Sequence, residues 1–239
     1  MDRPDVATES MTPFERRVRD PASGYAADFE VDSDTVMIVF AGIRGEVGIP
    51  SYDFLSISAA QSVKRLFLRD HRRSWYQLGV QGLAGSAQEL ADAMREMIAQ
   101  TGVERVATIG NSAGGYAALL FGGLLRADAA LAFSARTFFG WPRRLRHGDL
   151  RYRRDAVRLR LRGQPERRFR DLRNVPVAAR SQIHYSTADR LDTLHARRMR
   201  DVAGYDLHAH IGGGHQLVRE LRDRGELVPL LSEVLATRR

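Results

Sequence analysis

The sequence predicts an α/β protein, with a mostly parallel sheet, helices on both faces, and an arginine-rich cap or lid inserted before the last strands. Three observations predict it. Short apolar or β-branched runs alternate with segments of helical spacing along most of the 239 residues. A strand-to-helix junction within residues 103–122 carries Gly110, Asn111, Ser112, Ala113 and Gly114 in the pattern G-x-S-x-G. Residues 136–180 then interrupt the alternation with a run of arginines.

No low-complexity linker divides the chain, so residues 25–239 read as a single domain. Residues 1–24 are polar, contain Pro4, Pro13 and Pro21, and show no sustained period, so a loose N-terminal arm is expected there. Cysteine is absent, which excludes disulfides, thiolate metal sites and a cysteine nucleophile. The first residues, MDRPDVATES, are charged where a secretory signal needs an apolar core. No run reaches the roughly 20 apolar residues of a membrane span, so a cytoplasmic protein without a transmembrane segment is expected.

The net charge of +8 is unevenly spread. Residues 136–180 hold 15 arginines against Asp149, Asp155, Glu166 and Asp171, a balance of +11, and the remainder of the chain is at −3. One surface segment therefore makes the protein basic, and its readings are a solvated face, recognition of an anionic substrate group, or contact with nucleic acid or a membrane surface. Arginines interleaved with aromatics suit nucleic acid, but no nucleic-acid motif accompanies them, and a nucleic-acid partner is not expected.

Taken in order, residues 25–31 suit an edge strand, closed by the turn signal Asp32, Ser33, Asp34. Residues 35–40, TVMIVF, read as a central strand running into Ala41, Gly42, Ile43 and Arg44. Gly42, Gly45 and Gly48 are spaced G-x-x-G-x-x-G, not as a dinucleotide fingerprint, and no phosphate-loop GK[ST] occurs. Residues 62–68 give a further strand, with Asp70 and His71 just beyond it. Trp75 and Tyr76 are packing candidates that could line a substrate entrance. Residues 87–100 form an amphipathic helix on Leu90, Met94, Met97 and Ile98, ended by Gly102. The junction strand and helix follow, then an apolar strand at 127–133. The basic segment opens with Phe138, Phe139 and Trp141. Residues 181–185 restore a strand, a helix covers 191–202, a last strand covers 205–211, and a helix with a break at Gly225 covers 216–237.

The junction places Ser112 where a strained turn exposes its hydroxyl at a helix N-terminus, and glycines at 110 and 114 avoid collision with the neighbouring strand and helix. A serine hydroxyl needs a base, and the base needs an orienting partner. Asp189 follows the strand at 181–185 and His215 follows the last strand, so both lie at the sheet edge from which Ser112 emerges. Asp192 competes with Asp189 for the acid. His208, His210 and His215 make H-x-H-x4-H, a metal pattern without carboxylate companions, and no metal is assigned.

In the order Ser, Asp, His, with the elbow and the Gly212, Gly213, Gly214, His215 loop before the terminal helix, residues 35–237 resemble the α/β-hydrolase superfamily. The resemblance implies Ser112 as nucleophile, His215 as general base, Asp189 as the orienting acid, and Ala113 N–H as one oxyanion donor. The second donor falls on Gly42 or Ile43, since Phe40, Ala41, Gly42, Ile43 replaces the HGGG-type sequence of many esterases. Arg44, Trp75, Tyr76 and Phe138 are the candidate substrate-binding residues. The implied activity is cofactor-free hydrolysis of an ester or thioester on a polar or anionic substrate. Acyl transfer to an alcohol or sugar, or a non-catalytic protein holding an anionic partner on the arginines, are the alternatives. The oligomeric state is left open.

Overall fold

A computed structural model of the protein describes residues 11–42, 54–162 and 166–236. Among these, seven strands form one sheet: β1 Tyr25–Asp28, β2 Thr35–Phe40, β3 Lys64–Leu68, β4 Arg105–Asn111, β5 Ala129–Phe133, β6 Arg180–Ser186 and β7 Tyr205–His210. Their order across the sheet is β1-β3-β2-β4-β5-β6-β7, and every pairing is parallel except β1 with β3. The helices are α1 Pro13–Arg19, α2 Leu55–Ser58, α3 Ala87–Ala99, α4 Ala113–Leu125, α5 Trp141–His147, α6 Arg153–Arg162, α7 Arg190–Arg197, α8 Leu217–Asp223 and α9 Leu227–Ala236.

Period-2 alternation sends the side chains of β2 into two cores. Val36, Ile38 and Phe40 pack with α3, α4 and α7 residues such as Leu90, Leu120 and Ala196. Met37 and Val39 pack with Val18, Leu217 and Leu231 of α1, α8 and α9. Both faces are thus covered, which is why the central strands are apolar throughout rather than alternating. After β2 the chain builds β3 on one side and returns with β4 on the other, so the strand order reverses between β2 and β4. Ligands of open α/β sheets gather at such a reversal, beyond the strands' carboxyl ends. Gly42 and Ser112 both lie there.

Two expectations are corrected. Residues 13–19 are helical, not a loose arm, because Thr12, Pro13 and Glu15 form a capping box: Thr12 Oγ1 accepts from Glu15 N–H (3.2 Å) and Glu15 Oε2 from Thr12 N–H (2.8 Å). Buried Val18 and the Phe14 ring, 5.8 Å from Phe67, then dock the helix on the sheet. The basic segment is also not simply a surface feature. Arg136 and Arg144 are fully buried, and Tyr116 on α4 donates to the Phe169 carbonyl, fixing the segment over the helix that follows Ser112. The break expected at Gly225 is present, with φ of 73°, between α8 and α9.

Candidate active site

The geometry starts at the β4–α4 junction. Ser112 has φ 56° and ψ −111°, a region that a β-carbon disfavours. The glycines around it make this turn possible. A Cβ on Gly110 would stand 2.1 Å from the Gly114 carbonyl oxygen, and one on Gly114 would stand 2.0 Å from that of Phe40 at the end of β2. Ser112 N–H donates to Phe133 O (2.9 Å), which pins the turn to β5. The amides of the first turn of α4 have no intrahelical acceptor and form the positive end of a 13-residue helix.

Ser112 Oγ lies 3.0 Å from His215 Nε2. The other ring nitrogen of His215, Nδ1, is 2.8 Å from Asp192 Oδ2 and 3.1 Å from Oδ1. With Nδ1–H donating to a carboxylate, Nε2 is left as acceptor for the serine proton. The loops carrying these residues are tied together. Thr187 N–H donates to His210 O (2.9 Å), and Ser186 Oγ donates to the Gly212 carbonyl. Gly212, Gly213 and Gly214 all have positive φ, and they turn the chain so sharply that His215 comes back over Ser112.

The partner of His215 is therefore Asp192, and the assignment of Asp189 is corrected. Asp189 is the N-cap of α7: its Oδ1 accepts from the amides of Leu191 (2.8 Å) and Asp192 (2.9 Å). It shapes the turn that aims Asp192, one helical turn further on, at the imidazole. The pattern Asp189, Arg190, Leu191, Asp192 just before an apolar helical stretch is a helix-start signal, and it was readable as such.

Asp192 is almost fully buried and has a second partner that sequence reasoning missed. Arg151, on the turn between α5 and α6, places Nη1 2.8 Å from Asp192 Oδ1. The same guanidinium reaches Asp149 Oδ1 (3.2 Å). Asp149 also receives the His195 ring (3.0 Å) and faces Arg136 (3.6 Å). Burial alone would push the Asp192 carboxyl up, but the His215 hydrogen bond and the Arg151 guanidinium outweigh it and hold the group below its ordinary range. The same competition settles Asp149 well below its ordinary range, through His195, Arg136 and Arg151. His195 Nδ1 accepts from Thr137 N–H (3.1 Å), which leaves Nε2–H to donate to Asp149. Burial outweighs that carboxylate and brings His195 down to about 4, so it is neutral at pH 7.

Other expected site residues fall elsewhere. Trp75, Tyr76 and Phe138 do not line an entrance, because all three are completely buried. Asp70 causes this for the first two: its carboxylate accepts from the amides of Ser74 (2.6 Å) and Tyr76 (3.0 Å), and left-handed backbone at Trp75 and Tyr76 turns both rings inward. Trp75 stacks on Phe139, while the Tyr76 hydroxyl lies 2.9 Å from the Ala41 carbonyl and steadies the end of β2. Phe138 packs on His195, 4.5 Å between ring centroids. His71 is exposed. Gly42 is half-buried at the end of β2; Ile43 and Arg44 lie outside the described residues. The H-x-H-x4-H histidines separate: His210 Nε2 is 3.0 Å from His184 Nδ1 and His208 stacks on His184, whereas His215 faces Ser112. Among the described residues, Asp189, Asp192 and His215 have ligand atoms within 4.8 Å of one another, a spacing that a metal ion could share. The Arg151 guanidinium already supplies the cation there, 4.0 Å from Asp189 and 2.8 Å from Asp192.

Neither a protein-family model nor a curated protein matches the sequence. Solved structures do match its fold. The capsule O-acetyltransferase of Neisseria meningitidis serogroup A is 11% identical, with 87% of this chain and 90% of that one covered at a TM-score of 0.63. An α/β serine hydrolase without lid from Xanthomonas campestris is 16% identical, with 90% of each chain covered at 0.54. Est1E from Butyrivibrio proteoclasticus is 12% identical, with 89% of this chain and 94% of that one covered at 0.55. The chain has the α/β-hydrolase fold. No described helix is long and apolar enough to cross a membrane.

Proposed function

We propose that the protein is a serine-dependent enzyme that cleaves a carboxylic ester or thioester through an acyl-enzyme, with Ser112 as nucleophile, His215 as base and Asp192 as the orienting acid. The observation that carries the reading is the unbroken chain of contacts from Ser112 Oγ to His215 (3.0 Å) to Asp192 (2.8 Å), set at the sheet's reversal point. Ser112 Oγ bonds to the acyl carbon as its proton passes to His215 Nε2. The Ala113 N–H holds the oxyanion, together with an N–H from Gly42 or Ile43. Collapse breaks the bond to the leaving group, which takes the proton from His215. Water then gives a proton to His215 and attacks the acyl-enzyme, and the proton returns to Ser112 as the acid leaves. Asp192 keeps the imidazole in the accepting tautomer, and Arg151 holds Asp192 in place. The chemistry needs no cofactor. Residues 136–180 serve as its cap, and the enzyme works in the cytoplasm.

Acyl transfer to a hydroxyl uses the same steps with an alcohol in place of water. It is the second reading, supported by the fold-level likeness to a capsule O-acetyltransferase, one structure of which holds CoA. A panel of acyl esters, acetylated sugars and acyl thioesters, assayed with and without a sugar acceptor, tests both. Wild-type turnover that falls by roughly 10⁴-fold or more in Ser112→Ala is expected. Product appearing only when the acceptor is present would select transfer, and equal rates for the two proteins would reject both.

A further inference from the structure

A cavity of about 470 Å³ opens where α6 meets the turn after β3, lined by Arg73, Tyr152, Arg153, Arg154, Asp155 and Arg158. We infer that this cavity is a subsite for a phosphate or pyrophosphate group carried by the ligand, an inference that names a substrate feature for the esterase reading and rests on it. Four arginines face one carboxylate, so three positive charges in the lining are uncompensated. That carboxylate, Asp155, is buried and spent: it holds Arg73 in a two-pronged contact (3.0 and 3.1 Å) and touches Arg158 at 3.7 Å. The fork fixes Arg73 as one wall, whereas Arg153 and Arg154 are exposed on the first turn of α6 and make no ion pair among the described residues.

Guanidinium groups in a concave wall suit phosphate oxygens, which accept paired N–H donors, and the concavity concentrates the positive potential. The volume fits a small ligand or a part of one, within the usual range for such sites of roughly 300–1,000 Å³. Along the chain, the cavity adjoins the turn that holds Asp192. Tyr152, a lining residue, is the neighbour of Arg151, which grips Asp192. The left-handed backbone at Tyr152, φ 54°, divides the two, and its ring packs against the Arg136 guanidinium at 4.9 Å.

Calorimetric titration of the full chain with inorganic pyrophosphate tests the subsite directly, beside an Arg153→Ser/Arg154→Ser double variant and an Arg160→Ser control on the same helix. Saturable binding that weakens roughly tenfold or more in the double variant, with the control at wild-type affinity, is expected. Absence of pyrophosphate binding, or equal affinity in the double variant and wild type, would overturn the inference. So would a single-stranded oligonucleotide binding more tightly than pyrophosphate and losing affinity in the control as well, which would mark a general polyanion surface. Hydrolysis of a neutral aryl ester by wild type is measured in parallel. Its absence would remove the esterase reading while the titration still decides the cavity, and its presence without pyrophosphate binding would remove the cavity alone.

Discussion

At the scale of single residues, the site depends on which of two carboxylates three positions apart reaches His215. Asp192→Asn replaces a carboxylate that accepts from Nδ1–H with an amide that can present a donor, which selects the wrong imidazole tautomer; kcat should fall by roughly 10³–10⁴-fold. Asp189→Asn keeps an N-cap oxygen and should change kcat only a few-fold, with stability reduced by less than about 1 kcal/mol. Steady-state kinetics on one ester separates them, and equal losses would contradict the geometry. Arg151→Met leaves buried Asp192 and Asp149 each short of a charge partner. About 2 kcal/mol of stability should be lost in urea unfolding, and kcat should fall more than KM rises, with partial recovery in Arg151→Lys. The serine, the histidine and the acid loop were legible because each follows a recognisable strand. The choice of Asp192 required the helix phase at Asp189, and Arg151 was hidden among 15 arginines of identical chemistry.

At the scale of elements, α4 carries the site and is packed without slack. Every residue from Ala113 to Gly123 is buried. The Gly123 side of the helix lies so close to the segment before β6 that a Cβ there would meet the Pro176 carbonyl oxygen at 1.8 Å. Gly123→Ala should therefore destabilise by about 1–3 kcal/mol through displaced backbone, since a carbonyl cannot rotate away as a side chain can. Gly140→Ala, with nothing within 4 Å of the added carbon, should stay within about 0.5 kcal/mol of wild type. Chemical unfolding of the two variants compares them, and similar midpoints would contradict the packing. Long apolar strands and α3 were readable from periodicity alone. The seven-residue α1 was not, because two turns are too short to show a period, although its capping box of Thr12 and Glu15 is written plainly in the sequence.

At the scale of the whole molecule, the basic segment is partly interior. Composition showed its charge, but only the fold reveals that Arg136, Arg144 and Asp149 are enclosed with His195. Burial brings His195 down to about 4, and burial with the nearby His208 and His210 brings His184 down to about 2. Both groups bind a proton more readily when the chain is unfolded. Stability should accordingly be greatest above pH 6.5 and fall as the pH drops toward 4, with His195 alone accounting for on the order of 3 kcal/mol. Urea midpoints from pH 7.5 to 4.5 measure the slope, and His195→Gln should flatten part of it; a flat wild-type profile would contradict the buried neutral histidines. The fold itself follows from alternation of strand and helix, and it assembles Ser112 from the β4–α4 turn, Asp192 from the first turn of α7 and His215 from the turn after β7. Labelling the native protein with a fluorophosphonate probe and mapping the adduct by mass spectrometry tests that assembly most directly. One adduct per chain is expected, on Ser112, lost in Ser112→Ala and strongly slowed in His215→Ala; an unlabelled native protein, or an adduct that persists in Ser112→Ala, would contradict the assembly.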